Sequence, residues 1–545
     1  MRINMDLEYI SSTYLGGWAT YQYLLMLGLG TVSCVFTTIE LEERFIVFTP
    51  DYSCQTKFGQ QSLLLNQTRY MEGLDSQLHP SDECHSYNAS SERNESSLVA
   101  CESWTYSRRL VTSTAVTDWH LVCSRAAYTQ LMNVALNAGL ATVALTGALA
   151  DRFGRRKTLR PALLLLFIVH TLTSFSFNYV MLLVTRLVSG VLVSLGLMCG
   201  YAYMAESVSA RHRQHAVAGF TYAASVAHAG QWLLQRLVGE WRVLVLLNTA
   251  SMTLLVCLLF LPESPRWLLT RNEPHRARCV LRSVARVNHR QLPDYIRLPC
   301  SGRRRRHAST AAAGTAHNAS KHVLAVAFIW LVKNLLAAVM TLDRLSTNDY
   351  VRDADILITS AVLIAGCVAT QLVLTFVCGR GTAGSLSLLM VSLLFLVVCL
   401  LPARQRVATG ALTVVASVLL VVIENTLLVH VVELSGTSGR VAALSAAFAL
   451  SRTAHLSRLP LGYVRRKHWA ESSAVLFVMT LTAAAVCRLL PETRGKALRD
   501  CSADDITISR VDDTTKPHIT DITKTSVADM SHLSAIDCHS STMLC

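Results

Sequence analysis

"GALADRFGRRKTLRP", residues 147–161, places five basic residues and one aspartate between two long apolar runs. Each run is long enough for a helix that crosses the roughly 30 Å hydrocarbon core of a bilayer, which takes about 20 residues. Charged side chains are costly inside the bilayer, so the segment between two such helices belongs in a loop at the membrane surface. The stretch therefore predicts a membrane protein with a strongly basic loop on one face.

The composition extends this interpretation to the whole chain. Of its 545 residues, 52% are hydrophobic and only 16% are charged, against about a quarter charged in soluble domains. The first apolar run lies too far into the chain, and has too many others after it, for a cleaved signal peptide. Apolar windows predict twelve spans, at 20–39, 128–150, 161–181, 183–205, 214–237, 243–261, 322–342, 354–377, 384–402, 408–431, 440–462 and 471–490.

The net charge is +14 at pH 7, and a basic chain could bind nucleic acid. Here the basic residues are spread through short loops between spans, which is the pattern of the positive-inside rule. We therefore expect no nucleic-acid partner, a multi-pass protein, and both termini in the cytoplasm. The three basic residues at 465–467 disagree, because the count of spans puts them outside.

The spans and loops divide the chain into five parts. We expect a cytoplasmic N-terminus at 1–19, a six-helix half at 20–261 with a large extracellular loop at 40–127, a cytoplasmic linker at 262–321, a second six-helix half at 322–490 and a cytoplasmic tail at 491–545.

The long extracellular loop carries signs of processing. Three sequons begin at Asn66, Asn88 and Asn94, and they predict a glycosylated face. The loop also holds four cysteines, whose three possible pairings the sequence leaves open. These disulfide candidates are Cys54, Cys84, Cys101 and Cys123. For any single site, chance sequons and cysteines that only pack as small apolar residues are equally good explanations.

Four stretches carry a resemblance to known transporters. "GALADRFGRR" matches the loop signature of the major facilitator superfamily, and "DWHLVC" (118–123), "ESPRWLL" (263–269) and "PETRGKAL" (491–498) resemble the organic cation and anion transporter family of solute carriers. The resemblance covers roughly residues 15–500. It implies an all-α membrane fold of two six-helix halves. It also implies a plasma-membrane secondary transporter that moves small organic ions by alternating access.

The charged loop is expected to act as a conformational lock between the halves. Glycines permit close helix approach, and the aspartate and arginines can pair with each other and with helix ends. The alternative is a positively charged topology anchor. The stretch "ELSGTSGR" (433–440) resembles a family motif, whereas "CGRGTAG" (378–384) lacks the aspartate of a second lock. The predicted lock residues are Gly147, Asp151, Arg152, Gly154, Arg155, Arg156, Glu206, Glu433 and Arg440.

Ionisable and polar residues inside spans mark a candidate substrate site, because they normally face a cavity or pair with one another. The predicted site residues are Arg452, His455, Lys333, Trp232, His228 and Glu424. Either Lys333 or Arg452 could instead pair with Glu424, and the face of span five that carries His228 and Trp232 could be a helix seam.

The charge of the substrate is argued from the resemblance. Arg452 lies eight residues before Pro460 in "SRTAHLSRLP", where members that move organic anions carry an arginine. The family's tyrosine-rich stretch in span seven is absent here, although Trp330 remains. Organic anions are therefore favoured, with a cation or zwitterion transporter as the alternative.

Other function classes receive less support. A non-transporting binding or scaffold protein would keep the fold after losing substrate residues. No Walker loop, G-x-S-x-G elbow or cluster of metal-ligating residues indicates an enzyme, a cofactor or a metal site. The basic run at 303–306 precedes Ser309, which a basophilic kinase could phosphorylate, although attraction to anionic lipid is the commoner use of such a run. The oligomeric state is not indicated.

Overall fold

A computed structural model describes residues 3–4, 7–55, 85–87, 98–101, 103–108, 111–293, 296–298, 309–345, 349–376, 379–400, 406–456, 469–496 and 498. Within these ranges each predicted span corresponds to a helical segment, so the all-α class and the order of the spans are confirmed. Spans one to six are Thr20–Ile46, Ala127–Ala141 continued by Val143–Phe153, Arg155–Ser174, Tyr179–Ser207, Arg213–Leu237, and Trp241–Ser251 continued by the 3₁₀ segment Met252–Phe260. Spans seven to twelve are Ser309–Leu345, Asp349–Phe376, Arg380–Leu400, Arg406–Leu434, Arg440–Leu456 and Trp469–Leu489.

Eight helices of the described chain are long and apolar enough, by length and composition, to cross a membrane. Spans three, five, eleven and twelve fall outside that set, and span twelve contains a shorter apolar stretch, Ala474–Leu489. Their sequences explain why. Span three begins with the basic cluster of the charged loop, and spans five and eleven carry the polar residues that were singled out as a candidate site. A helix with one polar face has a lower mean hydropathy, although it lies within the same bundle.

Several short helices and strands lie outside the twelve spans. Helices cover Leu7–Thr13, Ala115–Trp119, Pro265–Thr270 and Pro274–Val287, with a 3₁₀ turn at Cys123–Arg125. Strand Ile3–Asn4 pairs in parallel with Ile296–Arg297. In the large loop, Tyr52–Gln55 pairs with Ser103–Tyr106, and His85–Tyr87 with Leu98–Ala100, both antiparallel.

The N-terminal segment is bound tightly to its own half of the molecule. The carboxylate of Glu8 accepts hydrogen bonds from Arg213 at 2.7 Å and from Arg266 at 2.6 Å. Asn288, after the linker helix, donates to the carbonyl of Leu15 at 2.9 Å and accepts from the backbone N–H of Tyr21 at 2.7 Å. The segment before span one is therefore packed against the linker and span five.

Span one is longer than predicted, which corrects the start of the large loop. Its helix continues past residue 39 to Ile46 and so includes Glu40, Glu42 and Glu43. Glu42 is fully buried and accepts hydrogen bonds from His170 at 2.8 Å, Arg186 at 2.5 Å and Asn248 at 2.7 Å. An apolar window ends at the first carboxylate, but partners on neighbouring helices offset the cost of burying it. The helix therefore extends where composition alone predicts a loop.

Candidate functional site

The predicted lock brings the two halves together through Asp151, near the end of span two. Its carboxylate accepts hydrogen bonds from the backbone N–H groups of Val441, at 3.3 Å, and Ala442, at 2.8 Å, in the first turn of span eleven. The first N–H groups of a helix have no partner within the helix and carry partial positive charge. Trp267 donates to the carbonyl of Asp151 at 2.9 Å and holds this turn in place. Asp151 of one half thus caps a helix of the other.

Arg155 and Arg440 share one carboxylate from opposite halves. Arg155 is fully buried and pairs with Asp151 at 3.0 Å and with Glu206 at 2.9 Å. Arg440, also fully buried, reaches the same Glu206 oxygen at 2.7 Å. Arg155 also donates to the carbonyl of Thr437 at 2.6 Å. Because Glu206 lies between two guanidinium groups, the arginines attract the carboxylate more than they repel each other.

Glu433 forms a second bridge, and its partners were not predicted. Arg213, at the start of span five, pairs with Glu433 at 3.3 Å, and Arg380, at the start of span nine, pairs with it as well. Arg213 also donates to the carbonyl of Lys496 at 2.9 Å. The sequence did not indicate Arg213 as a partner of Glu433, because nothing in a local pattern shows that the end of span ten lies opposite the start of span five.

The two glycines of the charged loop are explained by space and by backbone conformation. A Cβ at Gly147 would lie 2.2 Å from the hydroxyl oxygen of Ser445, so only glycine lets spans two and eleven approach this closely. Gly154 has φ +110°, a conformation that other residues rarely adopt. It precedes the N-terminus of span three, where Glu263 accepts the backbone N–H of Arg155 at 2.9 Å. Burial raises the pKa of Glu263, and the N–H groups that it accepts oppose that rise.

Arg152 and Arg156 contact other groups. The Arg152 guanidinium lies 5.5 Å from the ring of Phe153, and its carbonyl accepts a hydrogen bond from Arg271. Arg156 donates its backbone N–H to Glu263 at 3.2 Å. These contacts suit residues that carry the positive charge of the loop, whereas the other predicted lock residues make contacts between the halves or at the turn itself.

A second cluster lies deeper in the bundle, where Lys333 of span seven pairs with Glu424 of span ten at 2.6 Å. Trp330 donates to the same carboxylate oxygen at 2.8 Å, and Asn334 accepts from Lys333 at 2.9 Å. Of the pairings that the sequence left open, Lys333 with Glu424 is the one present. Their side chains are 15% and 26% exposed, so the pair is still reached from open space.

Arg452 of span eleven pairs with Glu40 of span one, a partner in the other half. Its guanidinium lies 5.1 Å from the ring of Phe36 and 4.6 Å from the ring of Phe448. Its buried Nε has no hydrogen-bond partner among the described residues, and the Glu40 side chain is 33% exposed. Sequence reasoning missed Glu40 because residue 40 stood outside the predicted span.

The two ion pairs form one site. The rings of Trp330 and Phe448 meet edge to face with centroids 5.8 Å apart, and those of Phe36 and Phe448 are 6.2 Å apart. Three aromatic rings therefore connect the Lys333–Glu424 pair to the Arg452–Glu40 pair. Spans one, seven, ten and eleven all contribute. We call this set the central cluster, and its members are Phe36, Glu40, Trp330, Lys333, Glu424, Phe448 and Arg452.

The other predicted site residues are His228, Trp232 and His455. His228 donates to the carbonyl of Ala224, one turn earlier, and the ring of Trp232 lies 5.9 Å from the Arg236 guanidinium. These contacts run along span five. His455 is half-buried and follows Arg452 on span eleven. Thr221, on the same polar face of span five, donates to Asn425 of span ten at 2.7 Å, so part of that face is a seam between the halves.

Several predictions concern residues that are not described. Asn66, Asn88, Asn94, Cys84 and the basic run 303–306 lie outside the described residues, and Ser309 is described only as the first residue of its helix. Cys54 lies in a strand, and Cys101 and Cys123 are disulfide-bonded. Glycosylation, the disulfide pairing and phosphorylation stay predictions. Within the described ranges, no group of three or more His, Cys, Asp or Glu side chains is arranged to hold a metal ion.

Comparison with solved structures supports the fold. The proton:xylose symporter XylE bound to 6-bromo-6-deoxy-D-glucose superposes with a TM-score of 0.57 at 17% identity, over 90% of this chain and 98% of the symporter chain. A double tryptophan mutant of the same symporter gives a TM-score of 0.50 at 18% identity, over 68% of this chain and 87% of that one. At such identities the likeness concerns the fold alone.

Curated relatives include a transporter protein and two members of solute carrier family 22. The organic cation transporter protein of Drosophila melanogaster is 26% identical over 52% of this chain and 53% of its own length. Solute carrier family 22 member 2 of Rattus norvegicus is 27% identical over 51% and 55%, and member 7 of the same species is 31% identical over 38% and 39%. The chain spans about half the length, or less, of the curated relatives it matches.

A family profile also matches most of the chain. The family described as "Sugar (and other) transporter" matches residues 66–504, which is most of the chain and includes the charged loop, the linker and eleven of the twelve spans. Together with the fold, this match shows that the chain belongs to the sugar (and other) transporter family of the major facilitator superfamily, and its curated relatives include an organic cation transporter protein and members of solute carrier family 22.

Proposed function

We propose that the protein is a secondary transporter that moves amphiphilic organic ions across the plasma membrane by alternating access, with organic anions favoured. The observation that carries the proposal is the ion pair of Arg452 and Glu40 between two aromatic rings. This pair joins span one to span eleven, and so it joins the two halves at a depth where charged side chains are costly without a function.

The central cluster suits an amphiphilic anion. The fork of a guanidinium binds a carboxylate or sulfate through two hydrogen bonds. The rings of Phe36 and Phe448 would take the apolar part of the substrate. In this structure Glu40 pairs with the guanidinium of Arg452. The Glu40 side chain is 33% exposed, so a substrate carboxylate could replace it. On this proposal Glu40 acts as a resident counter-ion that leaves when the anion binds.

Alternating access also requires that the substrate site is open to only one side of the membrane at a time. The lock supplies a gate on one of those sides. Asp151, Arg155, Glu206 and Arg440 join the halves at the ends of spans that we predict to be cytoplasmic. A closed gate on that side leaves the central cluster to be reached from the other. Rocking of one half against the other would break these contacts and open the inner side.

A specific observation also favours an organic cation as a second candidate. Glu40 and Glu424 both keep partly exposed carboxylates, at 33% and 26%. Glu424 accepts a hydrogen bond from Trp330, and the guanidinium that pairs with Glu40 lies 4.6 Å from the ring of Phe448. A carboxylate beside aromatic rings suits an organic ammonium group. One relative is named as an organic cation transporter. A zwitterion would use both ion pairs of the cluster.

Uptake measurements in cells that express the chain would test the proposal. Labelled organic anions, cations and zwitterions would be compared, with each rate divided by the amount of protein at the cell surface. Anion uptake above that of an Arg452→Asp variant, with little cation uptake, would support the favoured form. Uptake of cations alone would favour the second candidate. No uptake of any panel member by surface-expressed protein would favour a binding or scaffold role.

A further inference from the structure

A basic cavity opens at the face where the charged loops lie, away from the central cluster. It has a volume of about 540 Å³ and lies between the N-terminal segment, the loop before span five, span eight and the residues after span twelve. Five cationic or titratable nitrogen-bearing side chains line it, against one carboxylate, that of Glu8. They are Arg211, His212, His215, Arg380 and Arg494.

One buried side chain of this cavity has polar atoms without hydrogen-bond partners in the described part of the chain. Gln214 is only 7% exposed, and neither its side-chain nitrogen nor its oxygen has a hydrogen-bond partner among the described residues. Buried amide groups are rarely left unpaired, because the lost hydrogen bonds with water are not replaced. A polar ligand in the cavity would supply what Gln214 lacks.

An apolar groove continues from the same cavity. It has a volume of about 830 Å³ and runs between spans one and five. His212, His215 and Gln371 line both spaces, so the groove and the basic cavity meet. From His212 to Val226 the groove follows span five for about 21 Å, at 1.5 Å per residue. One leaflet of the hydrocarbon core is about 15 Å thick, so the groove is long enough for an acyl chain.

The groove is open toward the surrounding membrane. Leu27 of span one is 66% exposed, and Val226 of span five is 69% exposed. Tyr23 and Tyr222, also in its lining, are 52% and 38% exposed. An apolar surface of this kind, in a chain that crosses a bilayer, is reached by lipid tails rather than by soluble molecules.

We propose that the cavity and the groove together bind one anionic phospholipid of the leaflet on the charged-loop side, with its phosphate headgroup in the basic cavity and an acyl chain between spans one and five. Charge complementarity and the join between a polar and an apolar space select this occupant. Basic pockets between transmembrane helices are well suited to anionic lipid headgroups.

Such a lipid would stabilise the closed state of the lock. Arg211 and His215 belong to the N-terminal half, whereas Arg494 follows the last span of the C-terminal half. A headgroup that contacts both sets would hold the halves together next to the Arg213–Glu433 bridge. The lipid would therefore act as a regulator of alternating access at a site separate from the substrate.

Native mass spectrometry of the purified full chain in detergent would test the proposal. Phosphatidylserine and phosphatidylcholine with identical acyl chains would be titrated, together with glycerophosphoserine as the soluble headgroup. We expect phosphatidylserine to bind roughly five- to tenfold more tightly than phosphatidylcholine, and glycerophosphoserine to bind far more weakly than either. Equal binding of the two lipids, or soluble headgroup binding as tight as that of phosphatidylserine, would contradict a lipid site.

Variants test the basic cavity and the apolar groove separately. Arg211→Gln with His215→Gln should remove the preference for phosphatidylserine. Val226→Trp should fill the groove and weaken both lipids. Leu27→Trp, on the facing helix, repeats that test if the first filler lowers the yield of folded protein. The matched control is His275→Gln with Arg286→Gln, two exposed residues of the same types on the linker helix Pro274–Val287. The same loss of preference in the control pair, or no loss in the headgroup pair, would overturn the assignment.

Discussion

The carboxylate of Asp151 accepts a hydrogen bond of 2.8 Å from the backbone N–H of Ala442. This contact caps the first turn of span eleven with a residue of span two, so a helix of one half is completed by the other half. Separating the halves exposes the uncapped turn and leaves Asp151 without these donors. The cap therefore stabilises one conformation of the whole molecule and not only one helix.

Asp151→Asn should shift the protein toward states that are open on the side of the lock. Asn keeps an oxygen that can accept from the helix but loses the charge that pairs with Arg155 at 3.0 Å. Contacts of a charged acceptor are worth about 1.5–3 kcal/mol and those of a neutral one about 0.5–1.5 kcal/mol, so we expect a roughly five- to tenfold change in population. The fully buried Cys199 should then react faster with a membrane-permeant maleimide, as measured by peptide mass spectrometry. Arg152→Gln is the control, since its described contacts lie outside the lock. Equal labelling of Asp151→Asn and the parent protein would leave only the role of a topology anchor for this loop.

Arg452→Ala should lower anion affinity by roughly ten- to a hundredfold, because a charge-assisted contact is worth about 1.5–3 kcal/mol. Arg452→Lys should recover part of the loss, since an ammonium keeps the charge but lacks the planar fork. Arg452→Asp should go further and raise cation uptake. Surface-normalised uptake of one anion and one cation measures all three.

Variants of Glu40 test whether Arg452 has only a structural role. If the arginine serves only to neutralise Glu40, then Arg452→Ala should lower the amount of protein at the surface, and adding Glu40→Gln should restore it. Under the proposed function, Glu40→Gln alone should leave the guanidinium more available and strengthen anion binding. Unchanged anion uptake in Arg452→Ala at normal surface level would remove the substrate role.

Lys333→Ala should destabilise the fold, since it leaves Glu424 without its cation. The loss should be smaller than the roughly 3–5 kcal/mol for breaking a fully buried pair, because both side chains keep some exposure. Adding Glu424→Gln should restore most of the stability. Thermal unfolding followed by size-exclusion chromatography measures both variants. A single variant as stable as the parent would show that the pair makes little contribution to the fold.

Stability without lipid should depend on pH through His212. Burial lowers the pKa of His212 below its usual 6.5, and nearby His215 and Arg211 lower it further. Its cavity also holds Glu8, Arg380 and Arg494. A histidine whose pKa is lowered on folding contributes stability that is present above pH 6.5 and is lost as the pH falls below it. His212→Gln should remove this dependence in melting curves between pH 7.5 and pH 5.5. Identical pH dependence in the parent and His212→Gln would assign the effect to another group.

The sequence predicted the parts of the molecule whose signal is local. Apolar windows located the spans, and the charged loop identified Asp151, Arg155 and Glu206 as residues that could meet. It did not predict Arg213 or Thr437 as partners of the lock, because those contacts depend on how two distant halves face each other. Glu40 was missed for a different reason, since hydropathy ends a span at a carboxylate whose partners lie hundreds of residues away. Arg452 was identified only through a resemblance in register to a family motif.

The first described residues are attached to the linker and to span five. Ile3–Asn4 pairs with Ile296–Arg297, Glu8 accepts hydrogen bonds from Arg213 and Arg266, and Asn288 donates to Leu15. A reporter group attached rigidly just before Ile3 would therefore follow the N-terminal half, and one attached after Lys496 would follow the other. Under the proposed alternating access, the distance between two such reporters would change as the gate opens and closes, so the two ends of the described chain would serve as attachment points for single-molecule measurements of that motion.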